Sequence, residues 1–182
     1  MSCLTIYQDE QNPRADLRTE LPLEIAELLQ DYHIVYRRAA QTADVADIIA
    51  DRDLQLDIKR NIVPLDRQHQ FPFASVMAVD HAYPNLDRLR MRYLSEYRLD
   101  KDEMLLVLQG QLLLAFHSGR QVLQLLCEPG DFVLIPGGLL RWLDIGAAPA
   151  SLVFMKFMQQ AQDQVQHYTG SHIADFFPRL EP

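Results

Sequence analysis

The chain is poor in cysteine, with only Cys3 and Cys127 among its 182 residues. Two isolated thiols do not make a disulfide framework, and the lack of a Cys-x-x-Cys pair excludes the common thiol-based zinc and redox motifs. Long apolar runs are also missing. No stretch approaches the ~20 residues that a membrane-spanning helix needs, and the N-terminus has no signal-peptide core. We therefore expect a cytoplasmic protein with reduced thiols.

Positive charge is scarce as well. The 17 lysines and arginines are outnumbered by 25 aspartates and glutamates, so the net charge is −8. That balance argues against a nucleic-acid-binding surface or an anionic-membrane surface. The length suits one domain with a sizeable core. We expect a monomer whose partner is a small molecule.

The two halves of the chain differ in periodicity. Apolar residues recur at helical spacing over residues 21–32, over 85–94, and in a segment from Thr42 or Asp44 that carries Val45, Ile48, Ile49, Leu54 and Ile58. From residue 103 onward, short apolar runs alternate with turns at glycine. This pattern predicts a mainly β fold, a closed antiparallel barrel or jelly roll, with helices on the N-terminal side.

Two segments of the second half have glycine, proline and glutamate residues at fixed spacings. Residues 97–110 follow Tyr-x-Leu-x3-Glu-x6-Gly, and residues 130–141 follow Gly-x5-Pro-x-Gly-x2-Arg. They resemble the two motifs that define cupins, G-x5-H-x-H-x(3,4)-E-x6-G and G-x5-P-x-G-x2-H. The residues in register are Glu103, Gly110, Gly130, Pro136 and Gly138. The three histidine positions hold Tyr97, Leu99 and Arg141.

Within the cupins, nearly the whole chain resembles the acireductone dioxygenase family. The likeness includes the barrel strand at 122–128, the segment 141–146 and the tail at 168–180. The resemblance implies a cupin β-barrel with accessory N-terminal α-helices, in one domain over residues 1–182. Residues 1–94 would hold helices and accessory strands, 95–158 the core barrel motifs, and 159–182 a C-terminal segment. It also implies Fe(II) or Ni(II), bound by three histidines and one glutamate, and dioxygen cleavage of an enediol-ketone.

The residue types at the ligand positions do not suit such a metal. Leucine has no lone pair, arginine is a permanent cation with only donors, and tyrosine has a pKa near ~10. Of the family's ligands only Glu103 remains. Two family arginines are replaced by Leu105 and Met155, and Lys156 should face the opposite side of its strand. On these grounds we predict that the metal site is lost and that there is no cofactor.

Tyr97, Glu103 and Arg141 should nevertheless converge, and two interpretations remain open. In one, Glu103 and Arg141 form a buried ion pair that fills the old metal site, with Tyr97 donating a hydrogen bond. In the other they are catalytic: Glu103 is the general acid or base, Tyr97 the proton donor and Arg141 an anion clamp. The candidate ligand-binding residues are Leu99, Leu105, Trp142 and Met155, although Trp142 is most simply a packing residue.

Three functions follow from these interpretations. The first is a metal-independent lyase, isomerase or cyclase acting on a small polar or anionic metabolite. The second is a non-catalytic pseudoenzyme that binds a small molecule or a protein, and the third is a true acireductone dioxygenase of methionine salvage. An open cavity reaching Glu103 and Arg141 would favour the first, whereas a mouth filled by Leu99, Leu105, Leu139 and Leu140 would favour the second. Elsewhere we expect His117 to be a solvated turn residue and residues 88–92 to form one solvated helix face.

Overall fold

In the part of the chain that the structure describes, twelve strands form two antiparallel sheets. The computed structural model describes residues 1–8, 13–39, 44–62, 71–160 and 165–181. The seven-stranded sheet has the order β12-β5-β10-β7-β8-β1-β2, and the five-stranded sheet the order β3-β9-β6-β11-β4. The strands are β1 (Cys3–Gln8), β2 (Ala15–Thr19), β3 (Val35–Arg38), β4 (Phe73–Val79), β5 (Tyr97–Arg98), β6 (Glu103–Gln109), β7 (Leu112–Ser118), β8 (Gln121–Cys127), β9 (Asp131–Ile135), β10 (Leu140–Asp144), β11 (Leu152–Met158) and β12 (His167–Tyr168).

The described ranges contain four α-helices, which all precede β5. They are α1 (Pro22–Gln30), α2 (Val45–Ala50), α3 (Arg52–Ile62) and α4 (Leu86–Leu94), and a 3-10 helix follows near the C-terminus (Ile173–Phe176). The prediction of a mainly β fold with N-terminal helices is confirmed. Among the residues that the structure describes, no helix is both long and apolar enough to cross a bilayer.

The central strands β6 and β11 are mostly apolar because both of their faces are buried. In β6 the alternation directs Leu105 and Val107 into the core between the sheets. Met104 and Leu106 face the other way, into a second apolar layer that α2 and α3 cover. Successive side chains on a strand point to opposite faces, so one apolar strand contributes side chains to two separate cores. The outer face of the seven-stranded sheet is covered by the C-terminal segment, through Ile173 and other apolar residues.

The helical segment predicted from residue 44 is two helices rather than one. Asp44 caps α2, because its side chain accepts a hydrogen bond from the backbone N–H of Ala46; Thr42, the other predicted start, lies outside the described residues. Asp51 then takes an extended backbone conformation, with φ −115° and ψ 111°. Its carboxylate accepts hydrogen bonds from the N–H groups of Asp53 and Leu54 at 2.8 and 3.2 Å. Asp51 therefore ends one helix and caps the next, as aspartate does at helix N-termini.

Candidate functional site

The three side chains predicted to converge do so at one end of the two sheets. Tyr97 lies on β5 directly opposite Arg141 on β10, and Glu103 is the first residue of β6. All three are at most 2% exposed. A carboxylate and a guanidinium at this depth must be paired, since burying an isolated charge is very costly.

A glycine-containing loop holds these strands in register. The loop between β9 and β10 contacts the loop between β5 and β6, where Gly138 N–H donates to the Leu99 carbonyl at 2.8 Å and Gly137 N–H to the Asp102 carboxylate at 2.9 Å. A Cβ at Gly137 would lie 2.6 Å from the Asp100 carbonyl oxygen. Only glycine allows this approach without a shift of backbone. Gly137 and Gly138 thus position Arg141 relative to Tyr97 and Glu103.

Lys156 belongs to the site, which corrects the expectation that it faces away. Its ammonium lies 3.5 Å from Oε1 of Glu103 and 5.1 Å from the ring centroid of Tyr93. On β11 the side chain of Phe154 faces the interior and that of Met155 the outer layer. Lys156 shares the face of Phe154 by alternation. The alternation of apolar residues along β11 could have identified Lys156 as inward-facing. Aligning Met155 with the family's arginine instead assigned Lys156 to the opposite face of the strand.

Glu103 is flanked by two cations. Nη1 of Arg141 lies 3.6 Å from its Oε2, and Lys156 is at 3.5 Å on the other oxygen. Two cations and one carboxylate give the cluster a formal charge of +1 (+2 − 1). Four of its buried polar atoms have no hydrogen-bond partner: the Tyr97 hydroxyl, Glu103 Oε2, and Nε and Nη1 of Arg141. Arg141 does donate from Nη2 to the Pro136 carbonyl at 3.2 Å. The ion pair predicted between Glu103 and Arg141 is present, but the predicted hydrogen bond from Tyr97 is not.

The cluster shifts the pKa values of two of its members. Burial is the largest single influence on Lys156 and opposes its charged form, but the facing Glu103 carboxylate, together with Tyr93 and Tyr97, outweighs it and raises the pKa of the ammonium above its ordinary value. Burial, with a smaller contribution from Glu103, raises the pKa of Tyr97 to about 12. At neutral pH Lys156 is therefore a cation and Tyr97 a neutral phenol that can donate a proton or a hydrogen bond.

A cavity of about 250 Å³ opens beside this cluster. Glu103, Lys156 and Tyr97 line it, together with Leu99 and residues of α4. Arg141, which contacts Glu103 at 3.6 Å, is not among the lining residues. Of the leucines expected to fill the mouth, Leu99 alone is in the lining. The remaining lining residues are Met77, Tyr83, Leu89, Arg92, Tyr93 and Gln166.

The other candidate ligand-binding residues lie away from the cavity. Leu105 is part of the core between the sheets. Trp142 packs in the outer layer beneath the C-terminal segment, and Met155 packs in the layer beneath α2 and α3. The physical reason is strand alternation, because Trp142 follows inward-facing Arg141 and Met155 precedes inward-facing Lys156.

Two further expectations need correction. His117 is not a solvated turn residue, since its Nδ1 lies 2.7 Å from Oε1 of buried Glu96. The arginines of residues 88–92 do not share one solvated face. Arg90 forms a bidentate pair with Asp144 at 2.7 and 2.8 Å, whereas Arg88 and Arg92 line an open groove.

The donor set at the motif positions does not fit a divalent metal ion. Glu103 is the one anionic ligand there, and two cations already face it at 3.5 and 3.6 Å. Leu99 and protonated Tyr97 offer no lone pair of the kind that transition metals select. In the part of the chain that the structure describes, no three histidine, cysteine, aspartate or glutamate side chains come together.

Comparison with known proteins gives a consistent result along the whole chain. The acireductone dioxygenase of Stenotrophomonas maltophilia (strain K279a) is 30% identical over 182 residues, which cover 100% of this chain and 98% of that protein. The acireductone dioxygenase of Gluconobacter oxydans (strain 621H) is 30% identical over 183 residues, with 100% and 96% covered. A solved acireductone dioxygenase from Bacillus anthracis, with a cadmium ion in its active center, superposes with a TM-score of 0.70 at 17% identity. That match covers 92% of this chain and 98% of the other, and it confirms the predicted cupin-type fold.

These comparisons contradict the prediction that there is no cofactor. The relatives carry the name of a dioxygenase whose family is implied to use Fe(II) or Ni(II), and the solved relative holds a cadmium ion in its active center. The prediction rested on the residue types at the motif positions alone, whereas the relatives named as dioxygenases match the whole chain. The family resemblance itself is confirmed. The model of the ARD/ARD′ family matches residues 3–166, and the chain belongs to that family.

Proposed function

We propose that the Glu103 cavity binds a small anionic or enolic metabolite and that its side chains move a proton on that ligand. The reaction class would be an isomerase, lyase or cyclase. One observation supports this most strongly: a buried cluster with a formal charge of +1 faces a cavity of about 250 Å³. Such a volume equals that of about eight liquid waters, which is enough for a metabolite of a few heavy atoms.

The cluster of Glu103, Lys156 and Arg141 has one cation more than it has anions. A buried charge without a partner is strongly destabilising, and Glu103 can neutralise only one of Lys156 and Arg141. Lys156 lines the cavity and Arg141 does not, so an anionic ligand would meet Lys156 first. A carboxylate, enolate or enediolate oxygen bound there would complete the charge balance.

Glu103 and Tyr97, the two groups that would transfer protons, both line the cavity. Glu103 would take a proton from a hydroxyl-bearing carbon next to a carbonyl group and return it to the former carbonyl carbon, while the hydroxyl proton passes to the former carbonyl oxygen. The C–H electrons move into the carbonyl, so the negative charge develops on oxygen. Lys156 is placed to stabilise that charge, and the Tyr97 phenol to donate a hydrogen bond to it.

Deuterium exchange tests this proposal without knowledge of the natural ligand. Small 2-oxo acids and hydroxyketones would be incubated with the protein in D2O, and loss of the α-proton signal followed by NMR. We expect catalysed exchange for at least one compound, and its loss in Glu103→Gln. Tyr97→Phe serves as the second variant if Glu103→Gln does not fold. The proposal fails if no compound exchanges, or if exchange persists unchanged in both variants.

A second candidate is acireductone dioxygenase activity, which is favoured by the relatives of that name along the full chain. The donor set around Glu103 argues against it, but the comparison argues for it. Oxygen consumption with acireductone, after growth of the protein with iron and nickel, distinguishes the two. Turnover that requires the added metal would support the dioxygenase.

Binding without catalysis is the remaining alternative. A ligand that binds in a Lys156-dependent manner, with neither exchange nor oxygen consumption, would identify a pseudoenzyme. Cytoplasmic location, a monomeric state and the lack of nucleic-acid and membrane partners stay predictions from the sequence.

A further inference from the structure

A second polar site lies outside the cavity, in an open groove of about 620 Å³ along α4. The groove and the cavity share three lining residues, Tyr83, Leu89 and Arg92. A molecule in the cavity can therefore extend into the groove past these side chains. The groove is also lined by Pro84, Asn85, Arg88, Ser95 and Tyr168.

Two arginines give the groove its charge. Arg88 and Arg92 are four residues apart on α4, so they lie on one face of the helix. Asp87, the acidic residue of α4, is not in the groove lining. Among the described residues, Arg88 has no hydrogen-bond or ion-pair partner, and Arg92 is bonded only through Nε. Like charges at this spacing repel each other, and the chain as a whole is acidic. An unneutralised cation pair in a groove is a favourable place for an anion.

Arg92 is held at the neck between groove and cavity. Its Nε lies 3.0 Å from Oε1 of Gln166 and 3.1 Å from the Tyr168 hydroxyl. Tyr168 in turn donates to Gln166 at 2.6 Å. These bonds hold the guanidinium at the neck and leave its two terminal nitrogens without a partner among the described residues. Those two nitrogens are the pair that binds a carboxylate or phosphate in bidentate geometry.

We propose that Arg88 and Arg92 form a second anion subsite, and that the ligand is elongated, with anionic groups at both ends. One end would occupy the cavity at Lys156, and the other, a carboxylate or phosphate, would be held by the arginine pair. This inference rests on the proposed function, because it assigns the far end of the same ligand.

A carboxylate series tests the inference. Dicarboxylates from four to eight carbons would be compared by calorimetry with monocarboxylates of the same length. We expect at least one dicarboxylate to bind about tenfold tighter than its monocarboxylate, which corresponds to one charge-assisted contact. Arg88→Met and Arg92→Met should each reduce that ratio, and the double variant should bring it to about one. The excess should also fall as salt is raised, since the groove is open to solvent.

Arg18→Met is the matched control. Arg18 is an exposed arginine on β2, at the opposite edge of the seven-stranded sheet from β12, and its replacement should leave the ratio unchanged. Lys156-dependent monocarboxylate binding without any dicarboxylate gain would overturn the second subsite alone. If no carboxylate binds, or binding ignores Lys156, both the subsite and the proposed function are overturned.

Discussion

The ammonium of Lys156 lies 3.5 Å from Oε1 of Glu103, inside a cluster that also contains Arg141. This pair determines how the site responds to substitution. Glu103 is the one carboxylate between two buried cations, so the three positions are not equivalent. Removing the anion leaves two unpaired cations, whereas removing Lys156 leaves a neutral pair.

That asymmetry predicts an order of stabilities. Glu103→Gln should lower the free energy of unfolding by about 3–5 kcal/mol, as when one partner of a buried ion pair is removed. Lys156→Met should cost less, within the roughly 0.5–3 kcal/mol typical of single substitutions. Urea denaturation of both variants measures the difference. Equal losses would show that Lys156 is not the surplus cation.

A double-mutant cycle between Glu103 and Arg141 isolates their pairing. Side chains in direct contact show coupling energies of about 0.5–3 kcal/mol, and we expect a favourable value in that range. Additive effects of Glu103→Gln and Arg141→Met would mean that the 3.6 Å approach contributes nothing to stability.

Tyr97→Phe separates stability from ligand chemistry. The Tyr97 hydroxyl is buried without a hydrogen-bond partner, so its removal should change the free energy of unfolding by less than about 1 kcal/mol. Deuterium exchange of the bound ligand should fall, because the proton donor is lost. A large loss of stability would instead indicate that the hydroxyl makes a structural hydrogen bond.

The raised pKa of Tyr97 predicts a stability change at alkaline pH. The phenol titrates at about 12 in the folded chain, against an ordinary 10.0, so the folded state binds the proton more tightly than the unfolded state. This tighter proton binding contributes up to about 2–3 kcal/mol to the free energy of unfolding. The contribution is fully present below pH ~10 and is lost as the pH rises towards 12. Between these pH values the Tyr97→Phe variant should lose less stability than the wild type. Tyrosinate absorbance at pH 11 should be the same for both proteins, because Tyr97 is still mostly protonated there.

The glycine loop gives a prediction about positioning. Gly137→Ala would bring a Cβ to 2.6 Å from the Asp100 carbonyl oxygen, and overpacking of this kind costs about 1–3 kcal/mol. Ligand affinity should fall with stability, since the loop sets Arg141 against Glu103. Gly138→Asn is the control. Its Cβ meets nothing within 4 Å, and asparagine tolerates the positive φ of 80°. Similar losses in both variants would mean that the close approach at Gly137 is unimportant.

The sequence predicted the strands better than the contents of the site. The apolar runs from residue 103 onward predicted a mainly β fold, because strand period and turn chemistry are local, and the resemblance of the two motifs to those of cupins implied which β fold it is. The convergence of Tyr97, Glu103 and Arg141 followed from the motif frame. Lys156 was missed because a one-residue error in phase reverses the face of a strand residue.

Residues that come from outside the motifs could not be predicted in this way. Arg92 and Gln166 reach the cavity from α4 and from the segment before β12, and their approach depends on tertiary packing. The strand β2 has a single inward apolar residue, Leu17, which gives too weak an alternation to be identified. The cofactor prediction rested on the residue types at the motif positions alone, and the relatives along the full chain contradict it.

The central claim is that the surplus cation of the buried cluster binds an anion, and calorimetry with 2-oxobutyrate tests it most directly. We predict saturable binding to the wild type, at least about tenfold weaker in Lys156→Met, and unchanged in the Arg18→Met control. Equal affinity in the wild type and Lys156→Met, or no binding to either, would contradict the account.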